Sequence, residues 1–168
     1  MKFPDPPRGL KSIPWRIPIL FYKLGLGWML GSRFLLLTHT GRKTGKVRQN
    51  VLEIIHHSSE NHSYYVVSGF GTRSHWYQNI KQDPRVRIQV GSNCMAADSQ
   101  RLEPDEAENI FLSYTQNNPQ SIRGLAKLLG YDIVHTAEGY RAFSREIPLI
   151  RFTPRRVDSN GTYPRQIG

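Results

Sequence analysis

A single cysteine, Cys94, stands in 168 residues. It has no partner for an intramolecular disulfide and cannot build a multi-cysteine metal site; it reads as a small buried apolar side chain. Carboxylates are also scarce, with 13 Asp and Glu against 23 Lys and Arg, a formal net charge of +10. So thin and scattered a supply argues against a hydrolase built on paired carboxylates. The cationic surplus favours anionic partners such as phosphorylated cofactors, acidic lipid or nucleic acid. No long hydrophobic run is present. The apolar stretch Trp15 to Leu30 is interrupted by Lys23 and falls short of the ~20 residues a membrane span requires. No small-x-small cleavage site follows, so a removed signal peptide is not expected, and the chain reads as cytoplasmic. Gly-x-x-x-x-Gly-Lys-Ser/Thr, a helix-opening Gly-x-Gly-x-x-Gly, Gly-x-Ser-x-Gly and His-Glu-x-x-His are all missing. With them go triphosphate hydrolysis, a Rossmann fold, a serine hydrolase elbow and a zinc-protease helix. The six histidines show no ligand spacing and read as surface or structural, with no metal expected. No nucleic-acid-binding signature appears, so nucleic acid is not expected as a partner.

What is present is concentrated in Gly41 to Asn50, Gly-Arg-Lys-Thr-Gly-Lys-Val-Arg-Gln-Asn. Four cations, Arg42, Lys43, Lys46 and Arg48, crowd a short turn between two apolar runs. Arg33 to Thr40 reads as the strand before it and Asn50 to Ile55 as the strand after it. Arg offers paired hydrogen bonds to a phosphate and Lys a point charge. Two readings stand here: a phosphate-binding loop, or a solvated basic hairpin tip.

The length suits one compact domain. Residues 1–14 carry four prolines and read as an irregular segment, residues 15–153 as the domain, and 154–168 as a polar, frayed tail. Trp15 to Leu30 reads either as an amphipathic helix packed on the domain or as one lying in an anionic membrane surface. The second would put Trp15, Tyr22 and Trp28 at headgroup depth and the protein on the inner face of the cell membrane. Ser63 to Ser68, Arg85 to Val90, Cys94 to Leu102 and Ile147 to Phe152 read as strands. His75 to Gln82 reads as a short helix with Ser74 as its cap. Pro104 opens a longer helix whose Ala107, Ile110, Phe111 and Tyr114 fall at core spacing. Ile122, Leu125, Ala126 and Leu129 repeat that spacing in a following helix.

Three segments in this order carry a resemblance: Phe34 to Arg48, Tyr65 to Gly71 with its Gly69-Phe-Gly71, and Trp76 to Arg87 with its Trp-Tyr-x-Asn. Over residues 15–153 the chain resembles the deazaflavin (F420)-dependent nitroreductases and quinone reductases of actinobacteria and related bacteria. These are α+β proteins built on a split β-barrel of the FMN-binding type. The resemblance implies an oxidoreductase that passes a hydride from reduced coenzyme F420 to a quinone-like or nitroaromatic acceptor. FMN stays as the alternative cofactor, since its phosphate suits the same loop. A non-catalytic binder of acidic lipid or cofactor is the rival outside enzymes, and a homodimer stays open.

By the same resemblance, Arg42, Lys43, Thr44, Lys46, Arg48 and Asn50 hold the cofactor's phosphate and acidic tail. Ser68, Gly69, Phe70 and Gly71 bring backbone to the ring, and Arg73, Trp76 and Asn79 border the site. Tyr140 matches a tyrosine lining the acceptor pocket and would donate to the reduced oxygen; packing in the core is the other reading of it. Three departures from the family pattern stand out. The Gly-rich loop is short, with Arg73 in place of a lysine. Val47 follows Lys46 where many members have proline. A helical insertion occupies residues 121–140 and bears on the shape of the acceptor pocket.

Overall fold

The computed structural model describes residues 19, 22, 31–123 and 135–155. Six antiparallel strands close into a barrel in the order β1-β2-β3-β6-β5-β4. They are β1 Phe34–Thr40, β2 Val47–His57, β3 Tyr64–Val67, β4 Arg85–Val90, β5 Asn93–Arg101 and β6 Leu149–Pro154. Helices flank them, among them α1 His75–Gln82, α2 Pro104–Asn117 and α3 Ala137–Glu146. The architecture is thus the split barrel with flanking helices that the family resemblance implied.

Period two along the strands sorts the apolar residues into two clusters, because successive side chains point to opposite faces. Val66 and Ile150 face inward with Leu35, Leu37, Ile88 and Phe152, and α1 closes this cluster with Trp76, Tyr77 and Ile80. Their sequence neighbours Tyr65 and Leu149 face outward, where Phe111 and Tyr114 of α2 and Phe143 of α3 cover them. The residues expected at core spacing on α2 are in place: Ala107, Phe111 and Tyr114 are buried and Ile110 packs beside them. Ile122 is buried too; Leu125, Ala126 and Leu129 lie outside the described residues.

Helix α2 starts at Pro104 with Asp105 and Glu106 in its first turn, where carboxylates meet the positive helix end. Helix α3 has a side-chain cap, Thr136, whose hydroxyl accepts from the Gly139 amide. Glu108 of α2 pairs with both Arg141 and Arg145 of α3, at 3.3 and 3.0 Å.

Four features differ from the sequence reading. β2 begins at Val47, not Asn50, so Arg48 belongs to a strand rather than to the turn. Cys94 is exposed, not buried: at the start of β5 it has left the covered part of the sheet. β6 runs to Pro154, and Arg155 continues its ladder through an amide bond to the Ala96 carbonyl. Tyr22 is buried and its hydroxyl donates to the Phe34 carbonyl at 2.8 Å, which commits it to the barrel instead of to headgroups. Trp15, Trp28 and the rest of the N-terminal segment's membrane reading lie outside the described residues. Among the described residues no helix is long and apolar enough to cross a membrane.

Candidate cofactor cleft and acceptor wall

The basic loop is a tight turn between β1 and β2. The Gly41 and Gly45 amides donate to the Lys46 and Gly41 carbonyls, both at 2.8 Å. Gly45 takes φ +65°, a left-handed value that side chains disfavour, and a Cβ there would meet only open space. Gly41 is needed for packing instead, since a Cβ would stand 3.1 Å from the Lys46 carbonyl oxygen. The loop's cations have different surroundings. Lys43, Lys46 and Arg48 are exposed together with Thr44, and Val47 beside them is 71% exposed. Arg42 is half-buried and tied to α1. Its backbone N–H donates to Asn79 Oδ1 at 3.1 Å. Its Nη1 donates to the same oxygen at 2.9 Å and to the His75 carbonyl at 3.4 Å.

Asn79 is itself buried, and its Nδ2 lies 3.2 Å from His39 Nδ1. His39 Nε2 lies 3.0 Å from Asn50 Oδ1. A row of polar groups, Arg42, Asn79, His39, Asn50, thus runs from the loop through α1 and β1 to β2. Of the six histidines His39 alone is buried, at 4% exposure. Burial pushes its pKa below the ordinary histidine value, and Arg48 across the strand pair pushes the same way. The hydrogen bonds with Asn50 and the Thr40 backbone act in the opposite direction and are the weaker influence.

Arg42, Gly41, Gly45 and Asn79 line one wall of a cleft of about 600 Å³. Gln82, Asp83, Arg85, Asp98 and Arg155 complete it. Both carboxylates are engaged, Asp83 by Arg85 at 3.1 Å and Asp98 by Arg155. Among the described residues only Asn79 and His75 accept from the Arg42 side chain. Its Nε and Nη2 edge therefore remains for a bound anion. This donor set fits a phosphate, with a fixed guanidinium on one side and a loop stripped of side chain at Gly45 on the other. Sequence reasoning selected Arg42 and Asn79 but missed Arg85 and Arg155 on the far wall. His39 it took for an isolated structural histidine.

The Gly-rich loop is closed on itself. Ser68 is fully buried; its Oγ lies 2.7 Å from the Gly71 carbonyl oxygen and 2.8 Å from Ser74 Oγ. That contact occupies the Ser74 hydroxyl, which stands at the N-cap of α1 without capping it. The Gly71 amide donates to the Ser68 carbonyl, and Gly71 takes φ +59° at the start of a 3₁₀ turn that includes Arg73. Gly69 and Phe70 are half-buried at the rim of this turn. Trp76 is packed inside the barrel cluster, edge-on to Tyr77.

Tyr140 sits elsewhere, on α3, at the margin of the outer apolar cluster that Phe70 and Val67 also border. Its ring meets Phe111 edge-on at 6.5 Å, and its hydroxyl lies 3.0 Å from Nδ1 of the exposed His135. The cofactor-loop residues and Tyr140 therefore occupy two different surfaces, and Phe70 borders the second. Residues 124–134 of the expected insertion lie outside the described residues.

Two solved structures share this architecture. A conserved protein of Mycobacterium tuberculosis superposes with a TM-score of 0.53 at 12% identity, covering 80% of each chain. A pyridoxamine 5'-phosphate oxidase-related, FMN-binding protein of Nostoc punctiforme gives 0.52 at 17% identity, covering 88% of this chain and 83% of its own. A structure of an F420-H2 dependent reductase, FDR-A, is 25% identical with a TM-score of 0.49, over 71% of this chain and 93% of its own. Residues 22–124 match the model of the F420H(2)-dependent quinone reductase family. With more than half of its length in that match, the chain belongs to the F420H(2)-dependent quinone reductase family.

Proposed function

We propose that the protein is an oxidoreductase that reduces a flat quinone-like or nitroaromatic acceptor with reduced F420. The observation that carries this reading is the Arg42 guanidinium, held by hydrogen bonds to α1 and lining a cleft large enough for a phosphorylated cofactor. Reduced F420 would supply a hydride from a ring carbon. The chain's own residues bind and orient. Arg42 would hold the phosphate, with Asn79 keeping the guanidinium in place. Lys43, Thr44, Lys46, Arg48 and Asn50 would meet the acidic tail. Ser68, Gly69, Phe70 and Gly71 would carry the ring against a rigid turn, and Arg73 and Trp76 would border it. Tyr140 would face the acceptor and donate its hydroxyl proton toward the oxygen that gains charge, with Phe111 fixing its ring.

FMN is the second reading, supported by the same barrel in the FMN-binding neighbour. F420 uses the cationic loop more fully, because it carries a phosphodiester and several carboxylates where FMN carries one phosphate. Titration of the purified protein with F420 and FMN side by side tests the proposal. Micromolar or tighter F420 binding with weaker FMN binding is expected. FMN binding without detectable F420 binding would overturn it. Docking on an anionic membrane surface, which would bring the site to lipid-soluble quinones, is checked by co-sedimentation with anionic and neutral liposomes. Binding that rises with anionic lipid and weakens with salt supports it.

A further inference from the structure

We propose that His39, which does not line the cleft, is the positioning residue that sets Arg42 for anion binding, acting through Asn79 in one hydrogen-bonding tautomer. This deepens the reading of the cleft as the cofactor's phosphate site and rests on it only for the identity of the anion.

The donors and acceptors along the row leave one assignment. Arg42 can only donate, and it approaches Asn79 with both its backbone N–H and its Nη1. The atom they share must be the amide oxygen. The other end of the Asn79 amide is then its NH2, which can only donate, and it faces His39 Nδ1 at 3.2 Å. Nδ1 must accept and therefore carries no proton. The proton of the neutral ring sits on Nε2, which donates to Asn50 Oδ1 at 3.0 Å. Every bond in the row thus runs in one direction, from Arg42 toward Asn50. Each member fixes the next, and the Arg42 guanidinium is the only charged end.

A second proton on His39 reverses one link. Nδ1–H would then point at the Asn79 NH2, donor against donor, between two residues that are each at most 5% exposed. The Asn79 amide would have to turn, and turning it presents NH2 to the two Arg42 donors. The hydrogen bond with the Thr40 backbone favours the second proton but does not outweigh burial and the cations nearby. Arg48 of β2 is the charged residue opposite it in register, and a further cation, Arg42, stands behind Asn79. α1 presents the neutral Asn79 and β2 the neutral Asn50. Protonation of His39 is thereby coupled to loss of the Arg42 geometry.

Glutamine separates the alternatives. Its side-chain oxygen and nitrogen reproduce an accepting Nδ1 and a donating Nε2, but it does not titrate. Sulfate stays dianionic across the range and serves as the probe, read by NMR at the Arg42 amide. As pH falls from 7.5 to 5.5, sulfate affinity of the wild type should drop at least threefold relative to His39→Gln, and His39→Ala should bind weakly throughout. Thermal unfolding supplies a readout free of any ligand. A histidine whose folded pKa is lowered takes its proton more readily in the unfolded chain. Stability is therefore full above the ordinary histidine value of 6.5 and falls as pH drops through and below it. The wild type should lose about 3 °C more in Tm than His39→Gln over that interval, carboxylate effects being common to both. Nitrogen NMR of the wild-type imidazole should show an unprotonated Nδ1 at neutral pH.

A His39→Gln protein that follows the wild-type pH course in both measurements overturns the proposal, as does a protonated Nδ1 in the wild type, which needs no variant to fold. If sulfate and Tm behave as expected while F420 does not bind, the cofactor assignment fails and the role of His39 stands.

Discussion

Arg42 receives its position from three hydrogen bonds to α1, whereas Tyr140 receives its position from aromatic packing and one hydrogen bond to the exposed His135. Directed bonds fix an angle as well as a place, and a guanidinium that is to read a phosphate needs both. Packing against Phe111 and Phe143 fixes a volume and leaves a hydroxyl able to rotate. Under the proposed function, the rigid surface would meet the part of a ligand that never changes and the adaptable one the part that varies between acceptors.

The comparison breaks most sharply at Phe111, the fully buried centre of the outer cluster. Phe111→Ala should lower unfolding free energy by about 3–5 kcal/mol, measured in urea. It should also disturb Tyr140 while leaving the Arg42 row intact. Arg42→Ala should do the reverse. Loss of a charge-assisted bond to the bound anion is expected to weaken F420 binding by about 1.5–3 kcal/mol, seen by calorimetry. Lys43→Ala and Arg48→Ala should weaken it less, because neither lines the cleft. Equal losses at all three positions would mean that the loop binds by net charge alone.

Much of the fold was legible because the strands alternate cleanly. Tyr65-Val66 and Leu149-Ile150 each split between the two clusters, which is the period that marks a half-covered strand. Legibility stopped where pattern and burial part company. The extra residues of β2, Val47 to Gln49, pair with Thr38 to Thr40 beyond the apolar core, so no alternation of apolar and polar residues announces them. Helix α3 was not read, although Tyr140, Phe143 and Ile147 keep helical spacing and Thr136 caps it; its remaining residues are polar or small. Arg42 was found in the cationic turn itself, and Asn79 through a resemblance in motif. His39 has no such mark, since one histidine in the run Leu-Leu-Leu-Thr-His-Thr looks the same whether it faces solvent or a buried amide. Arg155 was hidden in what reads as a frayed tail.

A change confined to the acceptor side sharpens the contrast. Tyr140→Phe keeps the ring and its packing and removes only the hydroxyl. Steady-state turnover with a quinone acceptor should fall about tenfold, roughly 1.4 kcal/mol in barrier, with F420 affinity unchanged. Turnover equal to the parent's would leave Tyr140 a packing residue. The smallest effect is expected from Glu108→Gln, which keeps the shape and removes the charge that joins α2 to α3. Exposed guanidiniums make such pairs weak, so the cost should stay within about 1 kcal/mol of unfolding free energy.

The closure of the barrel has a consequence for assembly. Every one of the six strands has a neighbour on both sides, so neither end of the sheet order is an open edge strand. Strand β2 nevertheless outruns β3: only Ile54 to His57 lie in the register with it, and Val47 to Glu53 pair with β1 alone. Bare backbone is thus confined to overhangs such as this one. An open sheet of the same strands would present two whole edges to another chain, and closure removes both.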